Sequence, residues 1–147
     1  MELISGENRR TFGDDYLKII IQEIRRAGKV SSGKLINSLD YKLQNNAKEI
    51  KYIFEAEDYF EDIDAGRRPG SYPPIQAIAK WARVKGIKPA AVFPIARSIY
   101  KFGIKPTNIL NKSEQKAMNG QPFNKLEDNI QQNVENIVFN ELNKLKN

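Results

Sequence analysis

The chain contains no cysteine and no histidine. The first absence excludes a disulfide framework and thiolate metal sites; the second removes the commonest general base and metal ligand, leaving any catalysis to carboxylates, Lys, Ser or Tyr. No run approaches the roughly 18 apolar residues that a membrane span requires. The opening residues, Met1-Glu2-Leu3-Ile4-Ser5-Gly6-Glu7, lack the basic-then-apolar order of a secretory leader, so the chain reads as cytosolic where it is made. The phosphate-loop pattern G-x-x-x-x-G-K-[ST] occurs nowhere, and there is no internal repeat or low-complexity tract.

What is present fits one domain over residues 1–147, since 147 residues with 40% hydrophobic content can bury a core unaided. The net charge of +6 and pI near 9.5 favour encounters with nucleic acid or an acidic protein without dictating the fold. The charge is unevenly distributed. From Glu55 to Asp64 six side chains are acidic and none is basic, whereas from Ala65 to Lys105 nine are basic and none is acidic.

Local patterns predict an α+β fold. Residues 1–12 are polar and read as a loose segment. After Gly13, Asp14 or Asp15 can cap a helix that carries Tyr16, Leu17, Ile20, Ile21 and Ile24 at helical spacing and stops at Gly28. Arg25 and Arg26 suit the negative end of that helix. Residues 31–38 form a short helix or turn. Leu39, Tyr41 and Leu43 alternate with Asp40 and Lys42, then Ile50, Tyr52, Phe54 and Ala56 with Lys51, Ile53 and Glu55, on either side of the polar break Gln44-Asn45-Asn46, which makes an antiparallel hairpin. A lone hairpin is marginal in water, so the first helix is expected to cover its apolar face. Pro73-Pro74 opens a helix ending at Gly86, a second runs from Pro94 to Phe102 before Gly103, and a long one carries Phe123 through Leu145 on one stripe. Residues 105–121, with Pro106, a possible helical turn at Ser113 to Met118 and Gly120, read as a hinge or arm before that last helix, which either covers the sheet or docks on a partner.

Several clusters admit chemistry. Asp58 shares a helix face with Glu61 and Asp62 and could bind a divalent cation, but no lysine follows on a neighbouring strand as metal-dependent nucleases use; a solvated or interface-forming face is the plainer reading. Gly66-Arg67-Arg68-Pro69-Gly70 has the composition of an anion loop and equally that of a tight turn whose arginines pair across a subunit contact. Lys80, Arg83, Lys85 and Lys88 around Trp81 form either a nucleic-acid patch with a stacking aromatic or a solvated helix face.

The order of three segments resembles the bacteriophage tail-completion and head–tail joining proteins, also known as minor tail or neck components. These are Ser32-Gly33-Lys34-Leu35-Ile36-Asn37-Ser38-Leu39 before the hairpin, Tyr59-Phe60-Glu61-Asp62-Ile63-Asp64-Ala65-Gly66 after it, and Gly103-Ile104-Lys105-Pro106-Thr107-Asn108-Ile109-Leu110 before the last helix. Gly-Arg-Arg-Pro-Gly, the Pro-Pro pair, the Trp-bearing helix and Ile95-Ala96-Arg97-Ser98-Ile99 are similar to one phage subgroup. The match spans about Gly33 to Leu110; it departs at Asp64, where many members place a Glu closer to the glycine.

The resemblance implies a non-enzymatic virion protein, without cofactor, forming a ring at the head–tail junction. Its partners would be a portal or connector protein and a tail tube or hub protein, with assembly in the host cytoplasm. An acidic segment beside a basic one supplies the two unlike faces that a closed ring needs. The expected subunit interface comprises Glu57, Asp58, Tyr59, Glu61, Asp62, Arg67, Arg68, Tyr72, Trp81 and Phe93. Lys80, Arg83, Lys85, Lys88, Arg97 and Lys101 are candidates for lining a channel traversed by DNA, through non-specific phosphate contact. Two rivals remain: a basic nucleic-acid-binding protein and a metal-dependent nuclease.

Overall fold

A computed structural model describes residues 3–28, 33–46, 48–57 and 59–145. Among them are seven α-helices and a two-stranded antiparallel sheet, an α+β architecture with an N-terminal and a long C-terminal helix.

Helix α1 (Gly6–Arg26) starts well before Asp14, which corrects the expectation of a loose segment over residues 1–12. Ser5 is its N-cap: the hydroxyl accepts from the Asn8 N–H at 3.1 Å, and Glu7 sits in the first turn, where the helix dipole favours an anion. Gly13 lies inside the helix, with Phe12 buried beside it. A side chain at residue 13 would overlap the ring of Tyr41, so the glycine marks a close approach and not a helix start. At the other end Ala27 is the C-cap and Gly28 has φ +67°, as its position after Arg25 and Arg26 implied.

After the short helix α2 (Lys34–Ser38) come strands β1 (Asp40–Asn45) and β2 (Ile50–Glu55), paired antiparallel with Tyr41 opposite Phe54 and Leu43 opposite Tyr52. Ser31 and Ser32 lie outside the described residues. Helix α1 covers this hairpin with aromatic contacts: Tyr16 stacks on Phe54 at 4.7 Å, and Phe12 meets Tyr52 edge-on at 5.3 Å. The Tyr52 hydroxyl donates to the Arg9 carbonyl at 2.8 Å. The Tyr41 hydroxyl lies 2.8 Å from Asp14 Oδ1 and 3.0 Å from the Arg10 carbonyl. Burial, then the Asp14 carboxylate, push the Tyr41 phenol up to about 12.

The main core gathers Ile20 and Ile24 from α1, Leu35 from α2, Phe60 from α3 (Tyr59–Ala65) and Ile109 from α6 (Ile109–Met118). Helix α6 occupies the stretch expected to be a hinge or arm over residues 105–121. It buries Ile109, Ser113 and Ala117, spaced four apart, against α1. Two of those three are small, which lets the helices approach closely but leaves no apolar stripe in the sequence. The Ser113 hydroxyl donates to the Ile109 carbonyl at 2.7 Å, and Lys116 reaches the buried Glu23, which also pairs with Arg26 at 3.3 Å. Asp64 holds the start of α6: its Oδ1 accepts from the Leu110 N–H at 2.9 Å and its carbonyl from Asn108 N–H at 3.1 Å.

Helix α7 (Gln121–Lys144) packs on α1 and α6. Residues 67–104 form a separate excursion. Helix α4 (Ile75–Val84), a 3-10 turn (Pro89–Ala91) and α5 (Val92–Phe102) pack chiefly on one another around Ala82, Val92 and Ala96.

Candidate interaction surface

The helical excursion is closed at its base by two backbone hydrogen bonds. Arg67 N–H donates to the Ile104 carbonyl at 2.9 Å, and Ile104 N–H donates to the Arg67 carbonyl at 2.8 Å. A third bond, Gly70 N–H to the Tyr100 carbonyl at 2.8 Å, extends the neck. Gly66 and Gly103 flank it with φ of +72° and +71°. A Cβ on Gly66 would stand 2.5 Å from the Ile104 carbonyl oxygen, and one on Gly103 would press on the Arg67 carbonyl oxygen. Glycine is required at both places by conformation and by space.

Arg67 belongs to this neck. Its guanidinium donates to the Tyr72 carbonyl at 3.0 Å and lies 3.9 Å from the Asp62 carboxylate, with 24% of its side chain exposed. Among the described residues its buried Nε has no partner. The acidic and basic halves of the charge reversal therefore meet first within one chain, through the terminal nitrogens of Arg67. Arg68 is exposed. On the acidic side, Glu57 pairs with Lys34 at 3.8 Å and Glu61 is exposed on α3. Asp58 and the side chain of Tyr59 lie outside the described residues. Among the described residues no group of three or more carboxylates is placed to hold a metal ion.

The lobe has an open apolar groove of about 760 Å³ along α5, lined by Tyr72, Ile75, Phe93, Pro94, Arg97, Ser98, Lys101 and Phe102. Phe93 and Phe102 are each 69% exposed, an unusual cost for two phenyl rings on one short helix. Tyr72 is held against Tyr100, the rings stacked 4.5 Å apart, and the Lys101 ammonium lies 5.1 Å from the Phe102 ring. The structure thus brings together Tyr72, Phe93, Arg97 and Lys101, which the sequence had divided between an interface set and a channel set.

The remaining candidates lie elsewhere on the lobe. Arg83 and Lys88 border a second hollow of about 330 Å³ around Gly86 and Pro89. Lys85 lies over the half-buried Trp81 at 5.3 Å, and Lys80 is exposed on α4. Phe102, exposed, and Ile75, half-buried, were missed as groove residues because each falls on the apolar stripe of its helix. The small residues Pro94 and Ser98 between two phenylalanines were the available sign of a groove.

A second exposed apolar surface lies on α7, where Val134, Val138, Phe139 and Leu142 are all solvent-facing. Val134, Val138 and Leu142 belong to the stripe expected either to cover the sheet or to dock on a partner; Phe139 lies outside it. No protein-family model, curated protein or solved structure matches this chain.

Proposed function

We propose that this chain is a structural virion protein of a tailed bacteriophage, a subunit of an oligomeric ring at the head–tail junction through which DNA passes. The observation that carries the reading is the groove on the lobe. Exposed phenylalanines rimmed by Arg97 and Lys101, on a helical unit held out by a narrow neck, have the composition of a protein-docking face. The ordered motifs of the sequence support the virion setting, and the unlike surfaces of the lobe and α7 support a heterologous contact of the kind that closes a ring. Portal or connector protein on one side and tail tube or hub protein on the other would template assembly. Arg83 and Lys88, away from the groove, are the residues best suited to meet DNA phosphates in the channel.

Negative-stain imaging and native mass spectrometry of the chain mixed with portal and tail components test this. The expected result is a ring containing several copies; its absence from every such complex sinks the reading. A basic nucleic-acid-binding protein is the alternative, and it would instead show salt-sensitive binding to DNA with no ring.

A further inference from the structure

Helix α7 runs antiparallel to α1: Lys125 lies 3.7 Å from Asp15, and eight residues on, the Asn133 amide donates to the Leu3 carbonyl at 3.0 Å. Past that point the helix overruns the start of α1, and from Val134 to Leu145 every residue except Ile137 is exposed. Val134, Val138, Leu142 and Leu145 recur at spacings of four, four and three, which puts them on one helix face. Phe139 beside them is 64% exposed. Within this overhang Glu135 and Glu141 are acidic and Lys144 alone is basic.

We propose that this overhang is the occupant of the α5 groove, and that it docks there on a second copy of the chain. Charge supports the match. The groove belongs to a stretch with nine basic and no acidic residues, with Arg97 and Lys101 on its rim, and the overhang presents Glu135 and Glu141. Glu141 already pairs with Lys144 at 2.7 Å, but both partners are exposed and the pair yields readily to a new one. Dimensions agree as well: at 1.5 Å per residue, Phe93 to Phe102 spans about 14 Å and Val134 to Leu145 about 17 Å. Pro94 and Ser98 line the groove between Phe93 and Phe102 along the helix, and their short side chains leave room for the ridge of side chains spaced four apart on another helix.

Groove and overhang are different surfaces, so every copy offers both and association propagates from head to tail. This names the contact of the proposed ring; it rests on the ring reading for closure, while the contact itself is measurable on the isolated chain.

Because the chain has no cysteine, engineered thiols report proximity without background. Ser98→Cys and Phe139→Cys chains, both altered at exposed positions, are mixed at high protein concentration under mild oxidation. A disulfide-linked heterodimer is expected, in greater yield than from either variant alone or from Phe139→Cys mixed with Lys51→Cys on the hairpin. Adding Glu135→Lys and Glu141→Lys to the Phe139→Cys chain should cut the yield several-fold at low salt. Arg97→Glu and Lys101→Glu on the Ser98→Cys chain should then restore it. A yield no higher than the hairpin control overturns the proposal. If single-stranded DNA then binds the wild type and not the Arg97→Glu, Lys101→Glu chain, the groove is a nucleic-acid site. Cross-linking without rings in the presence of portal and tail components would leave the contact standing and remove the ring reading alone.

Discussion

The ring of Tyr41 occupies the space that a side chain on Gly13 would fill, only 2.5 Å from where its Cβ would stand. This one approach fixes the hairpin against α1, because the Tyr41 hydroxyl continues past the helix backbone to Asp14 and the Arg10 carbonyl. A mid-helix glycine costs roughly 1 kcal/mol relative to alanine, which the ring contact offsets.

Gly13→Ala should therefore destabilise the protein despite its better helix propensity, by about 1–3 kcal/mol, the usual cost of overpacking a tight site. Tyr41→Ala in the same chain should make the second change nearly neutral or favourable. Urea unfolding of the two single variants and the double variant measures the coupling; simple additivity would show that the two residues do not act on each other.

Stability should fall in strong alkali. The Tyr41 phenol is raised from 10.0 to about 12 in the folded state, and burial raises Tyr16 and Tyr52 in the same direction. A raised pKa means that the folded chain holds the proton more tightly. Its contribution is then complete below pH 10 and is lost as pH climbs from about 10 towards 12. Tyr41→Phe should lower stability by about 1 kcal/mol at pH 8 through the lost hydrogen bond of the phenol and flatten the alkaline decline. Unfolding midpoints across that range check both; an unchanged slope in the variant would assign the decline to other groups.

Gly103→Ala should open the neck of the lobe. The substitution combines a glycine-only backbone conformation, φ +71° with ψ −165°, worth about 1–3 kcal/mol for an L side chain, with overlap on the Arg67 carbonyl oxygen. The loss should be local: amide protection across residues 75–102 falls, while α1 and α6 keep theirs. Hydrogen exchange resolved by residue decides this, and uniform loss across the chain would show that lobe and core unfold together.

The pattern of alternation around residues 44–46 specified the hairpin, and Pro73-Pro74, Gly86 and Gly103 bounded the lobe helices, because turn chemistry and period are local properties of the backbone. Helix α6 showed in the sequence only as a possible helical turn at Ser113 to Met118, because its buried face is Ile109, Ser113 and Ala117, and small residues at a close helix crossing leave no hydrophobic period. The early start of α1 was hidden for a related reason: Gly13 reads as a break until Tyr41, distant in sequence, is seen to need the space. On the surface, the stripes over 95–102 and 134–145 were legible as apolar faces, but periodicity does not say whether a face meets its own chain or solvent.

The sequence alone determined the absence of cysteine and histidine chemistry, the hairpin, the punctuation of the helices and the reversal of charge between Asp64 and Arg67. Each of these follows from residue identity or from neighbours a few positions apart. Only the tertiary structure decided that Arg67 turns inward to Asp62 and the Tyr72 carbonyl, that Arg97 and Lys101 share a groove with Phe93 and Phe102, and that α7 overruns α1. Those outcomes depend on which faces of distant elements cover one another, and the packing of the whole chain settles that competition.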